Sequence, residues 1–365
     1  MRIGFITPMK APDSPVPSGD RTFARLIRAA LQEAGHTVLQ PTALSTWCAA
    51  PERFAEAARA ADAEIARVVA DLAPNPPDHV LTYHNYHKAP DLVGPALAAT
   101  FGVPYAIVEA SRAPRRADGP WAAGFAAADR ALMAADAVGA VTGRDLPALR
   151  DFVPAATIHL PPFVDTRPFA GAHRGGGGRR IVTAVMMRGG RKAESVRVLA
   201  EAYARIRAAR PDATLTIAGD GPEREALTPL FPAGTMVGRL DHAALAELFA
   251  GADLFVWPAI DEPFGFVFLE AQAAGLAVVG GATRGVVDIV RDGETGRLVT
   301  PTDPAAIADA VLGLLADAPR RTAMGKAARA FAAENDLAAG TRRLEALLGH
   351  AARRHAERVA AGANV

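Results

Sequence analysis

Two glutamates eight residues apart, Glu262 and Glu270, are the first candidates for chemistry in this sequence. If both lay on one helix, about 12 Å of rise and roughly 80° of azimuth would separate them. That is too far for an acid and a base acting on one bond. It suits contacts with two ends of one elongated ligand, because carboxylates accept hydrogen bonds from hydroxyl groups. The alternative is a helix with two ordinary surface glutamates.

The run between these glutamates, DEPFGFVFLE, predicts a helix start that attracts anions. Pro263 suits the first helical position because its φ is fixed and its missing N–H is not needed there. Gly265 lets a ligand approach the backbone. Free N–H groups are predicted at Phe264, Gly265 and Phe266, where a diphosphate or a neighbouring sugar would fit.

Basic residues and histidines follow other predicted strands. The loop MMRGGRK carries Arg188 and Lys192, which could stabilise charge on a leaving group. His84 and His87 lie in TYHNYHK, also after a strand. The alternatives are a solvated basic loop and structurally satisfied histidines. No third ligand stands at sensible spacing for a metal, so no metal site is predicted.

Composition narrows the class of protein. A chain of 365 residues with half its residues apolar predicts two domains. A net charge of +1 argues against nucleic-acid binding. Cys48 is the single cysteine, which excludes an internal disulfide and predicts a cytoplasmic protein with a small packed thiol. No apolar stretch is long enough for a membrane span, which leaves peripheral contact with a membrane surface open. The oligomeric state is not predicted.

Short apolar runs alternate with helical patterns along the chain, which predicts parallel sheets. The glycine-rich run at Ala170–Arg180 reads as a linker or flexible loop, after which the alternation restarts. The predicted fold is α/β with two Rossmann-like, doubly wound domains, at residues 1–170 and 171–335. Residues 336–365 are predicted as a helix that packs back on the first domain. A ligand is expected in the cleft between the domains.

The run EPFGFVFLEAQAAGLAVV, followed by GGATRGVVDIVRDGETGRLV, resembles the donor-site signature of family 4 retaining glycosyltransferases. The resemblance implies the GT-B fold, in which two Rossmann-like domains face each other across a cleft. It places Glu262 beside the donor sugar and Glu270 on the ribose. It also implies that the backbone at Gly265, Phe266 and Val267 holds sugar and phosphate.

Other segments extend the resemblance through the second half. MMRGGRK resembles an arginine–lysine pair that neutralises the donor diphosphate, here Arg188 and Lys192. Arg191 competes for this role because the usual family spacing is one residue longer. LTIAGDGP and VGRL resemble segments on the nucleotide side. The positions they imply are Gly219, Arg239 and Leu240.

In the first half the resemblance is looser. PSGDR resembles a glycine-rich loop near the acceptor and diphosphate, which implicates Gly19. Asp20 is predicted to cap the following helix rather than act in catalysis. His84 and His87 fall near positions that approach the donor sugar or acceptor.

Glu109 is the main departure from the family, because many members have a histidine at the end of this strand. It remains a catalytic candidate, and it indicates a subfamily with its own acceptor or sugar preference. Arg112, in SRAPRR, could bind an anionic acceptor or lipid head groups. A solvated basic loop is the alternative.

The predicted function is therefore a retaining hexosyl- or related glycosyltransferase of glycan, glycolipid or glycoconjugate biosynthesis. Its substrates would be a UDP- or GDP-linked sugar and an unidentified acceptor, without a cofactor or metal ion. The alternatives are a sugar-nucleotide epimerase and a non-catalytic sugar-nucleotide-binding protein.

Overall fold

The chain forms two six-stranded parallel sheets, each flanked by helices, in a computed structural model that describes residues 1–171, 173–175 and 177–362. Contacts divide it into two units. The first is Met1–Pro162 with Leu337–Val365, and the second is Phe163–Asp336.

The first unit contains a sheet with strand order β2-β1-β3-β4-β5-β6, in which every pair is parallel. Its strands are β1 (Arg2–Ile6), β2 (Thr37–Leu39), β3 (His79–Asn85), β4 (Tyr105–Ala110), β5 (Ala137–Ala140) and β6 (Thr157–His159). Its helices up to residue 162 are α1 (Gly19–Glu33), α2 (Phe54–Leu72), α3 (Gly94–Phe101), α4 (Ala122–Ala134) and α5 (Leu146–Phe152).

The second unit repeats this design with strand order β12-β11-β10-β7-β8-β9, again all parallel. The strands are β7 (Arg180–Ala184), β8 (Thr214–Ala218), β9 (Met236–Gly238), β10 (Leu254–Trp257), β11 (Ala277–Gly281) and β12 (Gly296–Val299). The helices are α6 (Arg191–Ala209), α7 (Arg224–Leu227), α8 (His242–Ala250), α9 (Phe266–Ala273), α10 (Val286–Ile289), α11 (Pro304–Ala316) and α12 (Ala318–Ala333).

The last helix, α13 (Leu337–Gly362), packs on the first unit against α1, β4 and β5. Its apolar side chains Leu344, Leu347 and Leu348 are fully buried there. Their three- and four-residue spacing puts them on one face of the helix, which explains why this face covers a sheet.

Central strands are apolar on both faces because helices cover both sides of a parallel sheet. All seven residues of β3 and all four residues of β10 are buried. The carboxyl ends of these strands carry the polar candidates. The predicted α/β class with two Rossmann-like sheets is confirmed.

Two local predictions are wrong. Pro263 is not the first residue of a helix, because α9 begins at Phe266 with Gly265 as its N-cap. The cap of α1 is Ser18, whose hydroxyl accepts a hydrogen bond from the N–H of Arg21, and Asp20 lies inside the first turn.

Two further predictions concern the linker and the membrane. The predicted linker at Ala170–Arg180 includes Ala172 and Gly176, which lie outside the described residues. Within the described residues, no helix combines the length and apolar character that a membrane crossing requires.

Candidate functional site

An ion pair between Lys192 and Glu262 lies at the carboxyl edge of the second sheet. Lys192 is in the first turn of α6, and Glu262 is in the turn that follows β10. The lysine Nζ contacts the glutamate Oε2, and only 30% and 12% of these side chains are exposed. The indole Nε1 of Trp257 donates to the same oxygen at 3.4 Å. The pair is therefore held in one geometry at the end of a buried strand.

The turn that carries Glu262 has a strained backbone. Ala259 and Asp261 adopt φ values of +57° and +55°, which non-glycine residues rarely do. The N–H of Ile260 donates to the buried hydroxyl of Ser195 on α6 at 3.0 Å. Arg284 pairs with Asp261 at 2.5 Å. Such conformations persist where their surroundings enforce them, and they concentrate at functional sites.

Helix α9 starts three residues after Pro263, the first helical position that the fixed φ of proline predicted. Gly265 has φ +71°, and a Cβ there would lie 2.9 Å from the ring of Phe268. The first-turn N–H groups, which lack an acceptor four residues earlier, therefore begin at Phe266 and Val267. Glu262 precedes this helix, so the separation worked out for two glutamates on one helix does not apply.

Glu270 lies one turn into α9 and stands apart from the other carboxylates. Its side chain is partly exposed, yet it makes no hydrogen bond or ion pair with the part of the chain that the structure describes. Burial raises its pKa from 4.5 to about 7. A half-buried carboxylate is costly without a partner, which makes Glu270 a candidate to receive hydroxyl donors.

The three basic candidates in and after the loop that follows β7 have different partners. Arg191 is exposed and pairs with Glu194 at 2.7 Å, so its guanidinium is committed within its own helix. Lys192 contacts Glu262 instead. Arg188 is half-buried in the loop before α6. Of the two competing positions, the structure brings Lys192 to the glutamate and leaves Arg191 outside.

Gly219 has a structural requirement within the unit. Its φ is +127°, and a Cβ would lie 1.8 Å from the carbonyl oxygen of Val185. Gly221 approaches the carbonyl of Met187 in the same way, at 2.3 Å. These two turns press the end of β8 against the loop that carries Arg188. The glycine turn thus positions the basic loop, whether or not it touches a ligand.

Arg239 and Leu240 follow β9 and line a recess with Asp241 and His242. Arg239 is exposed, and Asp241 caps α8 by accepting from the N–H of Ala244 at 2.8 Å. This recess lies beyond the carboxyl end of an edge strand.

In the first unit, His84 and Glu109 form a buried pair across neighbouring strands. The parallel register places Tyr83 beside Val108 and Asn85 beside Ala110, so the two residues between them are neighbours. His84 Nδ1 lies 3.2 Å from Glu109 Oε1, and the side chains are 11% and 13% exposed. Both residues have left-handed backbone, with φ +77° and +62°.

Burial and charge oppose each other in this pair. Burial disfavours a charged imidazole, but the Glu109 carboxylate overcomes it and raises the pKa of His84. Burial raises the pKa of Glu109, against the opposing effect of His84. The buried hydroxyl of Tyr83 lies in the same environment, and its pKa is also raised, by burial first and by Glu109 next. The Glu109 carboxylate is thus the main group that favours a protonated His84, and Asp20 and Asp145 act in the same direction.

His87 belongs to an aromatic row rather than to the pair. Its ring packs edge-on against Tyr86 at 5.3 Å and Trp121 at 5.5 Å. Burial, assisted by nearby arginines and a lysine, lowers its pKa to about 4. No group of three or more potential metal ligands occurs in the described ranges of the chain.

Gly19 and Arg112 differ in what surrounds them. Gly19 opens α1, and a Cβ there would meet open space. Arg112 is occupied inside the unit: it pairs with Asp129 at 2.9 Å and lies 3.8 Å from the ring centre of Phe152. The ion pair and the stacking give Arg112 a role inside the unit, and its predicted contact with an anionic acceptor stays a prediction.

Three contributors escaped the sequence analysis. Trp257, Ser195 and Arg284 all hold the turn that carries Glu262. Of these three, only Trp257 could have been found from the sequence, because it ends a predicted strand directly before the turn.

Comparison with known proteins finds one family model that matches part of the second unit. Residues 182–331 match the family model described as glycosyl transferases group 1. A GDP-mannose-dependent alpha-(1-6)-phosphatidylinositol monomannoside mannosyltransferase of Mycolicibacterium smegmatis is 37% identical over 212 residues, which cover 50% of this chain and 54% of that protein. A glycogen synthase of Mycobacterium tuberculosis is 39% identical over 134 residues, 35% of this chain and 32% of that protein. The matches thus span about half or less of these relatives.

Solved structures show the same fold over nearly the whole chain. Sucrose-phosphate synthase from Thermosynechococcus elongatus superposes with a TM-score of 0.71 at 22% identity, covering 95% of this chain and 98% of that one. HepE from Anabaena, in complex with UDP-glucose, gives a TM-score of 0.69 at 17% identity, with 96% and 99% coverage.

Proposed function

We propose that this chain, a GT-B protein of the family 4 glycosyltransferase type, transfers a sugar from a nucleoside-diphosphate donor to an acceptor with retention of anomeric configuration. The Lys192–Glu262 ion pair carries the proposal. It puts a fixed cation and a fixed carboxylate at the carboxyl edge of the second sheet, beside the start of α9. Parallel sheets of this kind bind ligands at that edge.

The remaining groups of the second unit fit the parts of such a donor. The carboxylate of Glu270, which has no hydrogen-bond or ion-pair partner among the described residues, can accept hydrogen bonds from ribose hydroxyls. The first turn of α9 suits a phosphate. Arg188 and Lys192 would offset the charge that grows on the departing diphosphate, which is stabilisation of the kind that preorganised cations supply. Arg239 and Leu240 would line the base.

The acceptor side is assigned to the first unit. Gly19, His84 and Glu109 stand at the start of α1 and at the carboxyl ends of β3 and β4. A diphosphate can leave without a proton, so no general acid is required there. The pair can instead orient hydroxyl groups of the sugar or acceptor. Arg112 is not included in this proposed site, because its guanidinium is paired with Asp129.

The donor class is a UDP- or GDP-linked sugar, since one relative is named for GDP-mannose and one structural neighbour was solved with UDP-glucose. No cofactor is proposed. Calorimetry with UDP and GDP, followed by turnover of the matching sugar donors with an acceptor panel, tests the proposal. We expect one nucleotide to bind and its donor to be slowly hydrolysed or transferred, with an α-linked donor giving an α-linked product by NMR.

A matched pair of variants makes the test specific. Glu262→Gln removes the carboxylate beside Lys192, and we expect turnover to fall by about 10²-fold with nucleotide affinity largely kept. Glu201→Gln changes an exposed glutamate of α6 and should leave turnover unchanged. Absence of binding to both nucleotides would refute the donor site. Binding without turnover of any donor would favour the non-catalytic alternative.

A further inference from the structure

A basic pocket of about 490 Å³ opens at the amino edge of the second sheet. Asp253, directly before β10, and Gly275, shortly before β11, line its sheet side, and α12 forms a wall. Because the strands are parallel, this edge is opposite the one that carries Lys192 and Glu262. The pocket is therefore separate from the proposed donor site.

Positive charge dominates the lining. Four cationic side chains face one carboxylate, that of Asp253. The cations are Arg174, Arg321, Lys326 and Arg329. The Asp253 carboxylate is itself engaged, because the backbone N–H groups of Arg179 and Arg180 both donate to it at 2.9 Å.

The two arginines of α12 that line the pocket are oriented by neutral acceptors. Arg321 donates to the carbonyl oxygens of Leu314 and Leu315 at 2.8 and 3.1 Å. Arg329 donates to those of Gly171 and Ala274 at 3.0 and 2.9 Å. Carbonyl groups fix a guanidinium in place but do not neutralise it. These arginines are thus ordered and remain available to an anion.

The other two cations differ from each other. Arg174 is paired with Glu247 at 2.7 Å, so its charge is largely compensated. Lys326 is exposed and makes no hydrogen bond or ion pair within the described part of the chain. Arg321, Lys326 and Arg329 therefore contribute three positive charges to the pocket, against the one negative charge of Asp253, which its backbone donors hold in place but do not neutralise.

We infer that this pocket binds a compact phosphate-bearing anion, a phosphate monoester or a diphosphate, as a second ligand site of the protein. Planar guanidinium groups match phosphate oxygens in geometry, and a lysine adds a mobile point charge. Since α12 packs against α9, the ligand would also brace the helix that carries Glu270. Free metabolites and the head groups of anionic lipids share this chemistry.

Pyrophosphate is the probe for a free ligand, and vesicles containing phosphatidic acid are the probe for a lipid. Titration calorimetry and vesicle sedimentation are compared for the wild-type chain, Lys326→Glu and Arg320→Glu. Arg320 is exposed on the same helix but does not line the pocket, so it controls for net charge. Lys326 is exposed and makes no hydrogen bond or ion pair with the described residues, so its variant should fold.

We expect Lys326→Glu to weaken binding of the favoured probe by about tenfold or more, since a charged hydrogen bond is lost and repulsion is added. Arg320→Glu should change it by less than about twofold. Pyrophosphate binding that depends on Lys326 identifies a free ligand, and Lys326-dependent sedimentation alone identifies a lipid head group. If neither probe binds, or binding ignores Lys326→Glu, the inference is overturned. Pyrophosphate held only at the donor site would give the latter result, so this test is independent of the proposed function.

Discussion

Replacing Glu270 with glutamine should stabilise the free protein at high pH and weaken nucleotide binding at the same time. Burial raises the pKa of Glu270 from 4.5 to about 7. The folded chain therefore holds a proton that the unfolded chain releases between these values. The stability linked to this group is complete below pH 4.5 and is lost as pH rises through 7.

The magnitude follows from the size of the shift. One pKa unit corresponds to about 1.4 kcal/mol, so the rise from 4.5 to about 7 means that a charged Glu270 costs at most about 3.5 kcal/mol at pH 8.5. Water at its partly exposed face reduces this to about 2 kcal/mol. For a domain of this size, each kcal/mol moves the melting temperature by about 2–4 °C. Glu270→Gln should therefore melt about 4–8 °C higher than wild type at pH 8.5 and nearly together with it at pH 5.

Thermal melts at the two pH values, with calorimetric titration of the bound nucleotide, measure both effects. Ribose hydroxyls donate better to a carboxylate than to an amide, so nucleotide affinity should fall about tenfold or more. Glu201→Gln, an exposed glutamate in the same unit, should change neither quantity. Equal stabilisation at pH 5 and 8.5 would refute the burial argument, and unchanged affinity would refute the ribose assignment.

Three further substitutions test other contacts. Lys192→Ala should lower kcat by about 10²-fold, whereas Arg191→Ala should leave steady-state kinetics within about twofold of wild type. Equal losses of kcat in the two variants would contradict the distinction between these residues. Glu109→Gln should lower the pKa of His84, because the Glu109 carboxylate raises it. The acid limb of the pH profile of kcat/KM should then move to lower pH. If neither this limb nor the titration of the imidazole in NMR moves, the pairing is contradicted. Arg112→Ala should lower the free energy of unfolding in denaturant titrations by about 1–3 kcal/mol and leave KM for the acceptor unchanged; a raised KM without destabilisation would restore an acceptor role.

The regular strands and helices could be predicted from the sequence where their hydrophobic patterns are clear. Short apolar runs between turn residues permit few structures other than strands, and two such runs, Thr214–Ala218 and Leu254–Trp257, form β8 and β10. Helix α4 is hard to predict because its alanine-rich run gives little contrast between its faces. Strand β12 is hard to predict because its four residues include only two large apolar side chains.

The site was harder to predict than the fold. The spacing of Glu262 and Glu270 could be seen in the sequence. The turn between β10 and α9, however, depends on the left-handed backbone of Ala259 and Asp261, which no residue pattern predicts. The choice between Arg191 and Lys192 likewise depended on which side of α6 faces Glu262. The His84–Glu109 pair required strand register, which sets neighbours across a sheet and leaves no trace in local sequence.

Helix α13 gives the two units different histories during synthesis. The second unit is one continuous stretch, Phe163–Asp336, whereas the first needs both Met1–Pro162 and the segment from Leu337 onward. A nascent chain therefore completes the second unit first, while the apolar faces of α1 and β5 still lack their cover. We expect the ribosome-bound chain to need protection from aggregation until Leu344, Leu347 and Leu348 emerge. The unit whose residues are synthesised first is thus the one that completes its fold last.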